Sequence, residues 1–158
     1  MSIVKGQIAP AFSLYNTEKI KVTLYDHRGS NVVLLFFPLA FTGTCTKELC
    51  NVRDNIALYN NMHATVFGIS IDSLFTLKKY KEEQGLNFDL LSDFNRQTAK
   101  EYDVLYDVFP SFEMQGVSKR AVFIIDKEGV VQYNEICAVP SDLPDFEAMK
   151  KVLEGLNS

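Results

Sequence analysis

Long apolar runs alternate along the chain with helical patterns of apolar and polar residues. The runs at 32–37 and 65–71 predict buried strands, because a strand covered on both faces shows no polar alternation. Helical patterns predict helices from Cys45 to about Met62, from Asp72 or Ser73 to Gln84, and over 143–156. Strands alternating with helices predict an α/β fold with a mixed central sheet flanked by helices.

Shorter segments complete this outline. Strand-like pieces lie at 12–15, 21–25 and 88–91, a short helix is expected near 96–102, and 104–117 is irregular but unusually apolar. The strands 120–125 and 130–135 flank the turn signal Asp126-Lys127-Glu128-Gly129, which predicts a hairpin. No repeat or linker interrupts the pattern, so we expect residues 1–158 to form a single domain.

One cysteine lies at the junction between a predicted strand and a predicted helix. The strand 32–37 is followed by the segment PLAFTGTC, which ends at Cys45, and the helix begins there. Free N–H groups and the positive end of the helix dipole meet at such a position and favour an anion. For a cysteine this anion is its own thiolate, the nucleophilic form.

Composition and charge exclude several classes of function. The net charge is −4 with no basic stripe, so we expect no nucleic-acid partner, and the cluster 78–83 is interpreted as a solvated helix face. No apolar run approaches the roughly 20 residues that span a bilayer, so no membrane partner is expected. Residues 1–7 lack the apolar core of a signal peptide, which indicates a cytoplasmic protein. Three cysteines in that compartment favour redox, metal or packing roles over a disulfide framework.

The segment FFPLAFTGTCTKELC resembles the active-site signature of the peroxiredoxins, which reduce hydroperoxides with a cysteine. The resemblance extends to VFGISID and SKRAVFIIDKEG and so covers most of the chain. The PLAFTG segment is most similar to AhpE-type members, whereas a second cysteine five residues on is similar to the bacterioferritin-comigratory, or Q-type, branch. The resemblance implies a thioredoxin-like sandwich with an N-terminal β extension and no cofactor.

The same resemblance assigns roles to four residues. Cys45 is expected to attack a peroxide oxygen and become a sulfenic acid. Thr42 is expected to bond to the sulfur or to a peroxide oxygen, and Pro38 to shape and shield the loop over the thiolate. Arg120 is the expected cation, since a guanidinium stays charged and offers fixed donors. An ordinary thiol is only a few per cent ionised at neutral pH, so complete ionisation raises the thiolate concentration by a few tens of fold at most. Hydrogen-bond donors that orient the peroxide are therefore needed as well.

The role of Cys50 determines how the sulfenic acid at Cys45 is resolved. In a continuous helix the Cα atoms of Cys45 and Cys50 lie about 8.6 Å apart, whereas a disulfide tolerates no more than about 7 Å. We therefore expect the first turns of the helix to unwind after oxidation, so that Cys50 condenses with the sulfenic acid to form an intramolecular disulfide. The alternative is a structural Cys50 in a one-cysteine peroxidase.

Other residues are left with open roles. Glu48 suits the helix dipole and could form hydrogen bonds in the active site, although its charge opposes a nearby thiolate. Cys137 is interpreted as a packing cysteine, with a second disulfide as the alternative. Lys119 is expected to face away from Arg120, because successive strand residues alternate.

Several competing functions follow from the same residues. A zinc site is disfavoured because His27 and His63 form no ligand pair with the cysteines, so no metal is expected. A thioredoxin-like oxidoreductase would need a Cys-x-x-Cys spacing, which is absent. A peroxide sensor without efficient turnover stays possible, since it also begins with a sulfenic acid.

The expected partners are a hydroperoxide, a thioredoxin-like or other dithiol protein as reductant and, through loops that include 108–114, a second copy of the chain.

Overall fold

A computed structural model describes residues 3–157 and contains one seven-stranded mixed sheet. Its strands are β1 (Ser13–Asn16), β2 (Lys21–Thr23), β3 (Asn31–Phe36), β4 (Ala64–Ser70), β5 (Asp89–Ser92), β6 (Ala121–Ile125) and β7 (Val131–Ile136). The helices are α1 (Gly43–Asp54), α2 (Ile56–Asn61), α3 (Leu74–Gln84), α4 (Gln97–Glu101) and α5 (Phe146–Leu156). The strand order is β2-β1-β5-β4-β3-β6-β7, which confirms the expected α/β class and the N-terminal β extension.

Strand β3, which lies between β4 and β6, is buried along its whole length and divides the core in two. Alternate side chains point to opposite faces of a strand. Val33 and Leu35 therefore pack into one hydrophobic cluster with α1, α3 and α5, whereas Leu34 and Phe36 pack into another beneath α4 and the N-terminal segments. Because both faces are covered, β3 reads as a continuous apolar run in the sequence.

Three neighbouring strands, β3, β4 and β5, run parallel, so their carboxyl ends share one edge of the sheet. The antiparallel strand β6 begins at this same edge, because Ala121 pairs with Phe36 at the end of β3. The loop after β3, the loop after β4 and the residue preceding β6 are thereby brought together. Helix α1 starts at this edge and packs back over the sheet.

Two helix boundaries differ from the prediction. The helix expected from Cys45 to Met62 breaks at Asn55, whose side chain donates a hydrogen bond to the carbonyl oxygen of Asn51 at 2.8 Å, so that α1 and α2 are separate. The last helix starts at Phe146 rather than at residue 143, because Asp145 caps it by accepting from the backbone N–H of Ala148.

Met1 and Ser2, the first two residues of the segment 1–7 discussed above, lie outside the described residues. Within residues 3–157, none of the helices has the length and apolar character needed to cross a bilayer.

Candidate active site

The cysteine that the sequence singles out lies in the first turn of α1. Thr42 is the N-cap, with extended backbone angles, and Cys45 is the third helical residue. The first intrahelical hydrogen bond runs from the N–H of Thr46 to the carbonyl oxygen of Thr42 at 3.0 Å. The amides of Gly43 and Thr44 precede that bond and face the same end of the helix. Cys45 itself is only 1% exposed.

Arg120 reaches this cysteine from the start of β6. Its Nη2 atom lies 3.4 Å from Sγ of Cys45 and donates to the carbonyl oxygen of Pro140 at 2.9 Å. Its Nη1 atom donates to Oε1 of Glu48 at 2.6 Å. The guanidinium thus joins α1, the start of β6 and the loop after β7 around one sulfur. Lys119, the preceding residue, instead lies over the ring of Tyr106.

The ion pair between Arg120 and Glu48 is almost completely buried, at 1% and 0% side-chain exposure. Burial raises the pKa of Glu48 to about 7, and the guanidinium of Arg120 opposes that rise. Burial also disfavours the charge of Arg120, but Glu48 and Cys45 outweigh it and raise the pKa of Arg120 above its ordinary value. Arg120 therefore stays charged at the sulfur. Within residues 3–157, Nε of Arg120 and Oε2 of Glu48 make no hydrogen bond.

The loop between β3 and α1 contributes Pro38 and Thr42 to the cavity that Cys45 also lines. Pro38 is buried, and Thr42 donates its hydroxyl to the carbonyl oxygen of Leu39 at 2.7 Å, which leaves the hydroxyl oxygen free to accept. At Ala40 the backbone N–H donates to Oδ2 of Asp72 at 2.8 Å. Phe41 has a φ of +64°, a value that few non-glycine residues adopt. Asp72 therefore fixes a sharply turned loop from the end of β4.

A cavity of about 250 Å³ opens above the sulfur. Cys45, Thr42 and Arg120 provide its polar chemistry. The remaining lining is mostly apolar and includes Phe109, Phe112 and Met114 of the irregular segment that precedes β6, together with Pro38, Leu39 and Pro140. The structure therefore places a sulfur, a cation, helix amides and a hydroxyl at one apolar-walled opening.

The other two cysteines lie in different surroundings. Cys50 is half-buried on the continuous helix α1, with Sγ 3.7 Å from Oε1 of Gln84. Cys137 is buried just after β7, and burial raises its pKa to about 11, so it is a neutral thiol at physiological pH. All three cysteines are free.

Two residues near the site were not identified from the sequence. The helical pattern indicates only a capping role for Asp72, but Ser73 caps α3 and Asp72 binds the loop before α1. Tyr80 lay within a cluster interpreted as a solvated face, yet it is fully buried and its hydroxyl lies 2.8 Å from Oγ1 of Thr46. Tyr80 follows the buried Leu77 by three residues, and that apolar helical spacing was the signal for its burial.

Metal ligands are not assembled at this site. In the part of the chain that the structure describes, no group of three or more His, Cys, Asp and Glu side chains is placed to hold a metal ion. His27 packs its ring edge-on against Phe67 at 5.0 Å.

Comparison with known proteins gives one consistent family. Residues 5–134 match the model of the AhpC/TSA family. Alkyl hydroperoxide reductase E of Mycobacterium bovis is 37% identical over 154 residues, which cover 97% of each chain. A putative peroxiredoxin, bcp, of Coxiella burnetii is 37% identical over 131 residues, 83% of this chain and 87% of the relative.

Solved structures agree with that comparison. The peroxidoxin BcpB of Mycobacterium tuberculosis superposes with a TM-score of 0.87 at 25% identity, covering 99% of both chains. A peroxiredoxin-like protein from Aquifex aeolicus gives a TM-score of 0.87 at 24% identity, over 99% of this chain and 89% of that one, and supports the fold alone.

Proposed function

Because this chain belongs to the AhpC/TSA family and is a peroxiredoxin, a thiol peroxidase with a thioredoxin-like fold, we propose that Cys45 is its peroxidatic cysteine. The observation that carries this assignment is the 3.4 Å contact between Nη2 of Arg120 and Sγ of Cys45 at the amino end of α1. A fixed cation and free helix amides both favour a negative sulfur.

The first step is attack on a peroxide bound in the cavity above Cys45. The sulfur forms a bond to one peroxide oxygen, the O–O bond breaks, and the departing alkoxide or hydroxide takes up a proton to leave as alcohol or water. Arg120 and the hydroxyl of Thr42 orient the two oxygens, and the guanidinium stabilises the charge that develops on the leaving oxygen. Pro38 covers the sulfur. Glu48 acts through Arg120 by holding its other nitrogen at 2.6 Å.

Both hydrogen peroxide and organic hydroperoxides are proposed substrates. The cavity of about 250 Å³ exceeds what hydrogen peroxide alone needs, and its walls include Phe109, Phe112 and Met114. An apolar wall beside a polar floor suits an alkyl group attached to a peroxide. Two of the relatives at 37% identity carry the names alkyl hydroperoxide reductase E and putative peroxiredoxin bcp.

Cys50 is proposed to resolve the sulfenic acid. The helix is continuous from Gly43 to Asp54, so the ideal separation of about 8.6 Å between the two Cα atoms applies. A disulfide therefore requires the first turns of α1 to unwind. The disulfide would then be reduced by a thioredoxin-like or other dithiol protein, without a cofactor, in the cytoplasm.

Mass spectrometry after one equivalent of hydrogen peroxide tests this proposal. We expect a 45–50 disulfide in the wild-type protein and in Cys137→Ser, a persistent sulfenic acid in Cys50→Ser, and no oxidation at this site in Cys45→Ser. Full recycling of Cys50→Ser by a dithiol protein would contradict the resolving role and leave a one-cysteine peroxidase. A single oxidation without turnover in the wild-type protein would indicate a peroxide sensor.

We also propose a homodimer that buries the irregular segment at the mouth of the cavity. Val108 and Phe112 in that segment are 53% and 87% exposed. Large apolar side chains with so much exposure mark interaction surfaces when they cluster. The same segment lines the cavity, so a second copy would close over the site.

A further inference from the structure

Helix α3 contacts α1 along the stretch that carries both reactive cysteines. Tyr80 and Gln84 are four residues apart and so lie on one face of α3. The hydroxyl of Tyr80 is 2.8 Å from Oγ1 of Thr46, the residue after Cys45, and Oε1 of Gln84 accepts from Sγ of Cys50 at 3.7 Å. One hydrogen bond thus holds the first turn of α1, and the other holds the second cysteine itself.

Tyr80 brings a buried hydroxyl to this contact, whereas Thr46 is half-buried. Tyr80 is fully buried, and burial raises its pKa to about 12, so its hydroxyl is neutral and can donate or accept. The rings of Phe41 and Phe37 pack on it with centroids 5.0 Å and 6.4 Å away. A hydroxyl in such surroundings is costly to leave without a hydrogen bond. The first turn of α1 is therefore anchored to α3 more firmly than a frayed helix end would be.

The carboxyl half of α1 has separate attachments that need not break. Nη1 of Arg53 donates to the carbonyl oxygen of Gln84 at 2.6 Å, and Nδ2 of Asn87 donates to the carbonyl oxygen of Arg53 at 3.2 Å. Buried Val52 also fixes this half in the core. Unwinding is thereby limited to the turns between Gly43 and about residue 51, which contain both cysteines.

We propose that Tyr80 and Gln84 form a latch on α1 that sets the rate at which Cys50 reaches the oxidised Cys45. This inference rests on the resolving role proposed above. In that step the Cys50 sulfur bonds to the Cys45 sulfur, the S–O bond of the sulfenic acid breaks, and water leaves with the thiol proton. The step requires the helix to open, so both latch hydrogen bonds must break first. Attack on the peroxide occurs in the closed helix and is a separate step.

Tyr80→Phe tests the latch by removing one hydroxyl from the α1–α3 contact. Hydrogen exchange of the backbone amides of residues 45–52, read by mass spectrometry in the reduced protein, reports the opening equilibrium. Rapid-quench mass spectrometry reports formation of the sulfenic acid and of the disulfide in the same samples. Loss of one hydrogen bond predicts exchange and disulfide formation faster by about threefold to tenfold. Thr46→Val removes the same hydrogen bond from the α1 side, and we expect its exchange and disulfide formation to be accelerated as much as in Tyr80→Phe.

The matched control is Tyr102→Phe. Tyr102 is also fully buried, but its hydroxyl donates to the carbonyl oxygen of Pro10 at 2.7 Å within the opposite core cluster. The substitution Tyr102→Phe removes a comparable hydrogen bond that does not involve α1. Hydrogen exchange of residues 45–52 should therefore keep its wild-type rate. Gln84→Met removes the acceptor for Cys50, and because a thiol is a weak donor the expected acceleration is only about twofold.

The outcomes separate the latch from the function on which it rests. Unchanged exchange of residues 45–52 in Tyr80→Phe and Thr46→Val would overturn the latch, and so would faster exchange with an unchanged rate of disulfide formation. Absence of any 45–50 disulfide in the wild-type protein would instead refute the resolving role of Cys50. The proposal that Tyr80 and Gln84 set the rate of disulfide formation would then be refuted as well. If Tyr80→Phe does not fold, Thr46→Val and Gln84→Met decide the question.

Discussion

The guanidinium of Arg120 holds three groups from two separate nitrogens: the Glu48 carboxylate from Nη1, and the Cys45 sulfur and the Pro140 carbonyl from Nη2. Its fixed fork is the reason that lysine is a poor substitute. We expect Arg120→Lys to slow oxidation of Cys45 by hydrogen peroxide by about a hundredfold to a thousandfold, the range for losing a placed donor. Stopped-flow kinetics on the reduced protein measures this rate.

Lys119→Gln is the matched control for this variant. Lys119 precedes Arg120 but lies over the ring of Tyr106, outside the residues that line the cavity. It removes a positive charge beside the site, which Arg120→Lys retains, without removing a donor from the sulfur. A wild-type rate is expected, and a loss in Lys119→Gln as large as that in Arg120→Lys would mean that the rate responds to any change before β6 rather than to the placed fork.

Glu48 makes the stability of the protein depend on pH. Burial raises its pKa from 4.5 to about 7, so between these values the folded state holds a proton that the unfolded chain has released. The contribution of Glu48 to the free energy of unfolding is fully present below about pH 4.5 and is lost as pH rises through about 7. The free energy of unfolding measured with urea should therefore fall by a few kcal/mol between pH 5 and pH 8 because of Glu48.

Glu48→Gln separates this effect from other titrating groups. Glutamine retains an oxygen acceptor for Arg120 but does not titrate, so the unfolding free energy of the variant should vary less between pH 5 and 8. The same pH profile in both proteins would contradict the assignment of the raised pKa to Glu48.

Cys137 is expected to be the least reactive of the three thiols. Its pKa is raised to about 11 by burial first and then by the nearby Glu135 carboxylate, so almost none of it is thiolate at pH 7. Peptide mapping after brief treatment with iodoacetamide at pH 7 should show Cys45 modified well before Cys137. Preferential labelling of Cys137 would contradict its role as a packing residue.

Individual site residues differ in how far the sequence could identify them. Cys45, Thr42 and Pro38 lie within one short segment, so a local motif was enough to predict their neighbourhood. Arg120 is 75 residues from Cys45, and only resemblance to a family brought the two together. The carbonyl of Pro140 has no side-chain signature at all, because its role comes from the path of the backbone after β7.

At the scale of elements, the loop before α1 depends on a residue from another strand end. Oδ2 of Asp72 accepts from the N–H of Ala40 and from the hydroxyl of Ser70, both at 2.8 Å. We expect Asp72→Ala to lower the unfolding free energy by about 1–3 kcal/mol, the cost of a lost charge-assisted bond, and to slow oxidation of Cys45 severalfold. Denaturation and stopped-flow kinetics measure the two effects.

Ser73→Ala provides the comparison for Asp72→Ala. Ser73 caps α3 through the N–H of Thr76 at 3.2 Å, within α3 rather than across to the loop before α1. It should lower stability by about 1 kcal/mol while leaving the oxidation rate unchanged. Equal kinetic losses in both variants would show that the loop is not held specifically by Asp72.

Element types followed from apolar periodicity more reliably than element ends did. The buried strands were visible as apolar runs because helices cover both faces of the sheet. The break between α1 and α2 was missed because it depends on one asparagine side chain bonding to the backbone at Asn51. The late start of α5 could have been recognised from Pro144, since a residue before proline avoids helical backbone angles.

For the whole molecule, the exposed apolar segment at the cavity predicts self-association. Phe112→Ser should weaken a dimer by roughly tenfold or more, because it removes most of one large apolar contact from the interface. Tyr25→Ser is the control, since Tyr25 is 67% exposed and stacks with the guanidinium of Arg28 in the segment before β3. Sedimentation velocity at micromolar concentration measures both, and a monomeric wild-type protein would refute the dimer.

The sheet order was beyond sequence reasoning for a physical reason. Alternating strands and helices implied parallel pairing, and the turn at Gly129 implied the hairpin of β6 and β7. Nothing local specifies that β6 pairs with β3, or that β1 adds to the far edge beside β5. Those pairings join distant segments, and they bring Arg120 to Cys45.

The central claim is that the surroundings of Cys45 make its sulfur a fast peroxide nucleophile. The most direct test is the second-order rate of its oxidation by hydrogen peroxide at neutral pH, measured beside free cysteine in the same buffer. Placed donors and orientation predict a rate at least about a thousandfold above that of free cysteine. A rate equal to that of free cysteine would contradict the account.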